Sequence, residues 1–512
     1  MDGADLCHKP ATEVLALFQR RQLSPVELLD ALIARAERLE PRLNAFATTY
    51  HERARVTARA AEARYQAGGD PARPLDGLPL VAKSDTDSAV EGTVSSDGCL
   101  WLTGAVDEHT SPTMARLLAA GAALHARTTM PELGWAWTCD SRAHGLTPNP
   151  WDPTYSSGGS SSGSAVAVVA GTTTVAMGTD CLGSLRVPSA MCGVVGFKPP
   201  YGRNPLHPGV SYDFFTHIGP MTRTVADAAL LQNVTSGPHP LDHTSLPGRV
   251  TIPQRLADVR GLRIAFSLDL GCFPVTADVR RETLATLRAL ADAGARVEEV
   301  EVPWAGDITR AASRYTDRLY AEDFVRALRE HPDEVSDYTG YYAQCALEVD
   351  PDELRRLHEL AAWTWYHHFG PLFEQYDAFL CPTLAFHEVP AANRPWERTI
   401  EVNGTHHTDH DGVMTGLFNV YSRCPVLVVP SGQCAGSGLP TSVQIATRPY
   451  DDVTAFQVGA AIEQARPWPS WSEPASRPAH NPPDLIAIHH ETITTPPQLA
   501  GAGLSRAGEQ QP

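Results

Sequence analysis

The sequence lacks both a long hydrophobic run and the start of a secretory signal. Residues 1–7 (MDGADLC) contain no basic segment, and no long apolar stretch follows them. A membrane-spanning helix needs about 20 consecutive apolar residues, and a secretory signal needs a basic start before its apolar run. We therefore expect a cytoplasmic protein that makes no contact with a membrane.

Paired cysteines are absent as well. The ten cysteines of the 512-residue chain form no Cys-x-x-Cys pair. This spacing favours reduced thiols over a disulfide framework or a zinc site. Residues 406–411 (HHTDHD) have the side chains of metal ligands, but they lie in a polar stretch without a defined coordination spacing. We expect no metal site.

Positive charge is scarce. The chain has 41 lysines and arginines against 59 aspartates and glutamates, which gives a formal net charge of −18. Such a charge argues against binding to nucleic acid or to an anionic membrane surface. Hydrophobic residues make up 43% of the chain, enough for a large core. These features agree with a soluble globular enzyme.

Two loops rich in glycine and serine are the most informative feature that is present. They are residues 155–164 (YSSGGSSSGS) and 178–186 (GTDCLGSLR). A glycine loop can present a serine hydroxyl together with backbone N–H groups that stabilise a phosphate or an oxyanion. Neither loop has the Gly-x-Gly-x-x-Gly or Gly-Lys-Ser/Thr pattern of nucleotide-binding sites. Hydrolysis or acyl transfer is therefore indicated.

The first loop allows three interpretations. Residues 159–163 (GSSSG) fit the Gly-x-Ser-x-Gly elbow with Ser161 as nucleophile, but the preceding residues 149–155 (NPWDPTY) make a poor buried strand. A merely flexible loop is disfavoured because the apolar residues 165–171 (AVAVVAG) follow directly. The third interpretation pairs a serine with an upstream base.

Lys83 is the candidate for that base. It ends an apolar run, residues 77–83 (GLPLVAK), which predicts a buried strand. Burial in an apolar interior disfavours the charged form of a lysine and lowers its pKa, so that it can act as a base toward serine. A solvated charge at the end of a strand is the alternative for this residue alone.

Taken together, Lys83 and the two loops resemble the amidase signature family. The similarity continues through residues 192–199 (CGVVGFKP) and 201–203 (YGR). It also includes four shorter segments: residues 41–46 (PRLNAF), 149–152 (NPWD), 376–383 (YDAFLCPT) and 438–445 (GLPTSVQI). It extends to about residue 470 and is strongest between residues 77 and 203.

The resemblance implies an α/β fold in which a large, mixed, twisted β-sheet is sandwiched by helices. We expect one amidase domain over residues 1–475, with the signature core at 77–205. A helical insertion at about 307–375 would lie over or beside the mouth of the active site. The Pro-rich residues 476–512 are expected to be disordered.

The resemblance also implies a catalytic triad and its supports. Ser184 is the acyl-accepting nucleophile, Ser160 a bridging serine on a cis peptide bond, and Lys83 the general base. The backbone N–H groups expected to form the oxyanion hole are those of Cys181, Leu182, Gly183 and Ser184. The residues expected to support the site are Thr179, Asp180 and Arg186, and those bordering the acyl channel are Gly134 and Trp135.

Four positions depart from the family pattern. They are Ser84 after the lysine, Thr129, Ser162 after the bridging serine, and Leu182 in a position where glycine is usual. A leucine would strain the oxyanion loop if position 182 needed a positive φ. We expect a negative φ there, with the Leu182 side chain narrowing the acyl side of the pocket.

These observations predict a cofactor-independent amidohydrolase that cleaves a small-molecule amide through a Ser184 acyl-enzyme. Two alternatives stay open. The chain could be the glutaminase subunit of a tRNA-dependent amidotransferase, which shares the Ser–Ser–Lys site, or a non-catalytic binding protein on an amidase fold. The sequence also leaves a homodimer open as the oligomeric state.

Overall fold

A computed structural model describes residues 6–68 and 73–473, and its centre is an 11-stranded sheet. The strands of that sheet are β1 (Phe46–Thr49), β2 (Pro79–Lys83), β3 (Ala123–Thr128), β6 (Val175–Asp180), β7 (Val195–Lys198), β8 (His217–Thr222), β9 (Arg263–Phe266), β10 (Arg296–Glu299), β11 (Ala378–Pro382), β14 (Val426–Gln433) and β15 (Pro440–Thr447). Two small hairpins pair β4 (Asp140–Ser141) with β5 (Gly145–Leu146), and β12 (Ile400–Val402) with β13 (Thr405–His407).

The order of the strands is β1-β3-β2-β6-β8-β7-β14-β15-β11-β9-β10. Strand β2 runs parallel to both β3 and β6, and β9 runs parallel to both β10 and β11. The remaining pairs in the sheet are antiparallel. The expectation of a large mixed sheet is therefore confirmed.

Helices cover both faces of this sheet. They are α1 (Ala11–Gln19), α2 (Pro25–Leu43), α3 (His51–Ala67), α4 (Pro112–Ala119), α5 (Ser162–Ala170), α6 (Arg186–Cys192), α7 (Val225–Thr235), α8 (Ala277–Asp292), α9 (Ala305–Leu319), α10 (Ala321–Glu330), α11 (Asp337–Glu348), α12 (Glu353–Thr364), α13 (Gly370–Gln375), α14 (Leu417–Val420) and α15 (Asp452–Ala465). Side chains alternate between the two faces of a strand. Leu80 of β2 accordingly packs in the apolar cluster of α1, whereas Val81 packs in that of α5.

Two local sequence patterns correspond to elements of the structure. The Ser-Pro-Val-Glu pattern at residues 24–27 predicts a capping box, and Ser24 caps α2 together with Glu27. Residues 262–266, about 278–293, and 296–302 have the patterns of a strand, a helix and a second strand, and the structure has β9, α8 and β10 there, with the two strands parallel. Within the polar residues 406–411, His406 and His407 lie on β13, and the pairing of β13 with β12 was not apparent from the sequence.

The chain is helical from Ala305 to Gln375, where α9 to α13 follow one another and a π-helical turn (Trp365–Phe369) joins α12 to α13. We call these residues the helical segment. The expected disordered tail, residues 476–512, lies outside the described residues.

Candidate active site

The candidate site lies where β2 and β6 end. These strands are parallel neighbours, so their carboxyl ends meet at the same edge of the sheet, where α/β proteins place their ligands. Lys83 is the last residue of β2, and Thr179 and Asp180 end β6. Ser160 precedes α5, and Ser184 precedes α6. The fold therefore brings together the predicted lysine and both predicted loops.

The Lys83 side chain is buried, with only 3% of the residue exposed. Its Nζ lies 2.9 Å from Ser160 Oγ and 2.6 Å from Thr179 Oγ1, and both contacts are hydrogen bonds. The alternative of a solvated surface charge is excluded by this burial. Lys83 and Ser160 are thus in direct contact, as a serine–lysine pair requires.

Asp85 is the nearest acidic partner of Lys83, and sequence reasoning missed it. Its Oδ2 lies 3.2 Å from Lys83 Nζ and accepts a 2.6 Å hydrogen bond from Thr179 Oγ1. Burial would raise the pKa of this carboxyl, but the Lys83 charge and the hydrogen bonds from Thr179 and Ser88 hold it below its usual value. The spacing was the available signal, because positions i and i+2 of an extended chain face the same side.

The three candidate serines have different surroundings. The Gly159–Ser160 peptide bond is cis, as the resemblance implies. Ser184 lines a cavity and is 8% exposed. Ser161 is fully buried, and its hydroxyl donates to Thr179 O and accepts from Thr179 N–H, both at 3.1 Å. Its own N–H donates to Ser184 O at 2.8 Å. Ser161 therefore holds the two loops together and does not face the cavity.

The loop before Ser184 has one position that requires glycine. Gly183 has a φ of +138°, and a Cβ there would collide with the Thr415 side chain. Leu182 does not have a positive φ, as expected. Thr415 Oγ1 donates a hydrogen bond to Leu182 O and so fixes the loop from the far end of the chain.

The expectation that Leu182 narrows the pocket was wrong. Its side chain packs against an apolar cluster that includes Val187 and Leu417, beside Gly416. Among the described residues, the cavity is lined by Cys181 and Ser184 but not by Leu182. Leucine is accommodated because this side chain points into the core under the loop.

We expect Leu182→Gly to destabilise the protein without changing its substrate preference. Removing a half-buried leucine and adding glycine freedom should lower the free energy of unfolding by about 1–3 kcal/mol. The ratio of kcat/KM for a small and a bulky acyl anilide should stay unchanged, which steady-state kinetics will measure. A shift of that ratio toward the bulky anilide would contradict the packing described here.

A buried ion pair supports the loop from below. Arg186 forms a two-pronged contact with Asp180, at 2.9 and 3.0 Å, and both side chains are fully buried. Burial would raise the pKa of Asp180, but the Arg186 charge and the hydrogen bonds hold it well below its usual range. Arg186 also donates to Asn419 Oδ1 and Gln444 Oε1. The predicted supporting residues are therefore in place around the loop.

The cavity at the site has a volume of about 510 Å³. Gly134 and Trp135 both line it, and a Cβ at Gly134 would lie 3.3 Å from Ser160 Oγ and 3.9 Å from Lys83 Nζ. One wall is aromatic, since the Trp135 ring lies 4.9 Å from Tyr320 and 5.0 Å from Phe324, centre to centre. Tyr320 and Phe324 belong to the helical segment, which thus supplies a wall of the cavity.

Glu132 connects this wall to the rest of the site through hydrogen bonds. This residue was not predicted from the sequence. The buried Glu132 carboxylate accepts hydrogen bonds from Ser336 N–H at 2.8 Å, from Ser336 Oγ at 3.1 Å, and from Thr339 Oγ1. Ser336 is the residue that precedes α11. Glu132 stands two residues before Gly134, so it ties the helical segment to the chain beside Ser160.

A large mixed sheet with a buried lysine and two glycine–serine loops at one edge, beneath a partly aromatic cavity, is the arrangement of hydrolases that act on amide bonds. The chain belongs to the amidase signature family: the family model described as Amidase matches residues 27–456. Like other members, it is a hydrolase of amide C–N bonds. Within the described residues, no helix is both long enough and apolar enough to cross a membrane.

Similar proteins come from two functional groups. An acylamidase from Rhodococcus erythropolis is 32% identical, over 90% of this chain and 95% of its own. One component of the glutamyl-tRNA(Gln) amidotransferase of Deinococcus radiodurans is 33% identical, over 88% of this chain and 96% of its own. Sequence identity alone does not show to which of these two functional groups the chain belongs.

Among solved structures, a bacterial aryl acylamidase of the amidase signature family superimposes with a TM-score of 0.82 at 29% identity, and covers 90% of this chain and 97% of its own. A 6-aminohexanoate cyclic dimer hydrolase superimposes with a TM-score of 0.78 at 25% identity, over 90% of this chain and 98% of its own.

Proposed function

We propose that the protein hydrolyses a carboxylic amide through an acyl-enzyme on Ser184, with Ser160 as the proton bridge and Lys83 as the general base. The contact of 2.9 Å between buried Lys83 Nζ and Ser160 Oγ carries this proposal. Ser184 lines the same cavity, and the N–H donor loop precedes it. Among the described residues, no hydrogen bond joins the two serine hydroxyls in this structure, so the relay closes when substrate is bound.

The reaction follows from this order of groups. Uncharged Lys83 takes the proton of Ser160, which takes that of Ser184 as the Ser184 oxygen attacks the amide carbonyl. The N–H groups of Cys181, Leu182, Gly183 and Ser184 stabilise the oxyanion. The proton then passes back to the leaving amine, and water releases the acid from the ester.

Asp85 positions the proposed base. Its Oδ2 lies 3.2 Å from Lys83 Nζ, which also contacts Ser160 Oγ. Thr179, which bonds both groups, holds the pair in place.

The lining of the cavity favours apolar or aromatic amides over free glutamine. Trp135, Tyr320 and Phe324 present aromatic surface that suits an aryl or large alkyl group. Glutamine would need a cation for its α-carboxylate. The arginine of the lining, Arg326, is exposed and already pairs with Asp323 at 2.6 Å. We therefore propose an independent amidase of the acylamidase kind.

Purified full-length protein, assayed without any partner, tests this choice. We expect it to release aniline from acyl anilides with a kcat/KM at least about tenfold above that for ammonia release from glutamine. A preference for glutamine would instead support the role of an amidotransferase component. Absence of turnover with every amide, while amides still bind, would support the binding-protein alternative.

We also propose that the enzyme works in the cytoplasm without a metal or other cofactor. Its ten cysteines are all free thiols, which suits a reducing compartment. The proposed steps need only the side chains and N–H groups named above.

A further inference from the structure

One buried carboxyl group outside the proposed triad accepts hydrogen bonds from three residues that line the cavity. Asp213 lies in the loop between β7 and β8 and is fully buried. Its Oδ2 accepts hydrogen bonds from Tyr320 Oη at 2.8 Å and Thr216 Oγ1 at 2.8 Å, and the Cys181 thiol donates to it at 3.5 Å. All three donors line the cavity, whereas Asp213 does not.

These donors come from distant parts of the chain. Cys181 follows β6 directly and stands three residues before Ser184. Tyr320 stands between α9 and α10 in the helical segment, and its ring packs against Trp135. The oxygen of Asp213 is therefore the point where the nucleophile loop and the aromatic wall are joined.

The Asp213 carboxyl group acts as an acceptor in all four of these contacts. Burial raises its pKa, and the hydrogen bonds that it accepts from Phe215 N–H, Thr216 and Tyr320 oppose that rise. Asp213 uses one oxygen for the three side chains and the other for Phe215 N–H, at 3.0 Å. Within the described part of the chain, no lysine or arginine forms an ion pair with Asp213. Its role is therefore to accept these donors, and not to balance a cation.

We propose that Asp213 is a positioning residue, which aligns the nucleophile loop with the wall that holds the substrate. This inference rests on the proposed function, because it takes Ser184 as the nucleophile and the Cys181 loop as the oxyanion donor. Tyr320 and Trp135 form the wall against which the substrate packs. Because Asp213 bonds both this wall and the loop before Ser184, it fixes the position of Ser184 relative to the substrate. Loss of the carboxylate should misplace the oxyanion donors more than it weakens substrate contact.

The experiment compares Asp213→Asn and Tyr320→Phe, alone and combined, with an acyl anilide as substrate. An amide in place of the carboxylate offers fewer acceptors to three donors. We expect Asp213→Asn to lower kcat by about 10- to 100-fold with KM changed by less than about threefold. Tyr320→Phe should lower kcat by about 3- to 10-fold, and the double variant should be no worse than Asp213→Asn, because Tyr320 acts through Asp213.

Tyr342→Phe is the matched control. Tyr342 is also a buried tyrosine of the helical segment, but its hydroxyl contacts His410 at 3.0 Å and it does not line the cavity. We expect its kcat to stay within about twofold of the wild type. Thr216→Val, which removes a donor to Asp213 at constant shape, provides a second variant if Asp213→Asn does not fold. It should lower kcat in the direction of Tyr320→Phe.

Three results would overturn this inference while the proposed function stands. They are losses that multiply in the double variant, a rise in KM with kcat unchanged, and a kcat for Tyr342→Phe as low as that for Tyr320→Phe. A wild-type protein that neither hydrolyses any anilide nor is labelled on Ser184 by a fluorophosphonate would instead contradict the proposed function itself, and Asp213 with it.

Discussion

Ser184→Ala is expected to abolish acyl-enzyme formation and to lower kcat/KM by about 10⁴-fold or more, since no other group can take the place of the nucleophile. The substitution removes one oxygen from a residue at the cavity wall, so the thermal midpoint should change little. Anilide hydrolysis by the purified variant and mass spectrometry of fluorophosphonate-treated protein will measure the two effects.

Ser161→Ala is the matched control, because Ser161 follows Ser160 in the first loop and its N–H donates to Ser184 O. Within the described ranges, its hydroxyl bonds only the backbone of Thr179. We expect this variant to keep substantial activity and normal labelling at Ser184, with a loss of stability of about 1 kcal/mol from the broken hydrogen bonds. Labelling of Ser161 with Ser184 spared would overturn the amidase assignment of the nucleophile.

Replacement of Lys83 should have the second-largest effect. Lys83→Met keeps the length of the side chain but removes the base, and we expect kcat to fall by about 10³-fold or more. It also leaves Asp85 buried without its cation, which should cost about 3–5 kcal/mol of stability. The double variant Lys83→Met/Asp85→Asn should recover part of that stability and none of the activity. A single variant that keeps most of the wild-type rate would show that Lys83 is not the base.

The stability difference between the wild type and Lys83→Met should depend on pH. Lys83 lowers the pKa of Asp85 in the folded state. The stabilisation from this pair is therefore fully present above the ordinary pKa of an aspartate, about 4. It is lost as the pH falls through the lowered pKa. Urea unfolding of both proteins at pH 7 and at pH 3 to 4 will show whether the gap narrows in acid.

The parts of the site that could be predicted are those encoded by short, contiguous patterns. Lys83 ends an apolar run, and Ser160 and Ser184 lie in glycine-rich loops, so each carries its signal within about ten residues. The strand–helix–strand unit around α8 is local in the same sense. Such features are visible because backbone requirements at these positions select glycine, serine and apolar side chains directly.

The missed residues contact the site through tertiary structure. Glu132 meets Ser336, Thr415 meets Leu182, and Asp213 meets Tyr320, each across more than 100 positions. An isolated aspartate or threonine in a loop has no periodicity that points to a partner. Leu182 shows the same limit, because the direction of its side chain depends on α14, which is far along the chain. Only Asp85, two residues from Lys83, was within reach of local reasoning.

The partners of Arg186 have a consequence for how the protein is made. This side chain, beside the proposed nucleophile, bonds Asn419 and Gln444 as well as Asp180. During synthesis from the amino terminus, the loops that bear Lys83, Ser160 and Ser184 emerge more than 200 residues before Gln444. Until β15 has been translated, Arg186, which is buried in the folded protein, therefore lacks one of its hydrogen-bond acceptors, Gln444. We therefore expect the polypeptide to become competent for catalysis only after β15 has been translated.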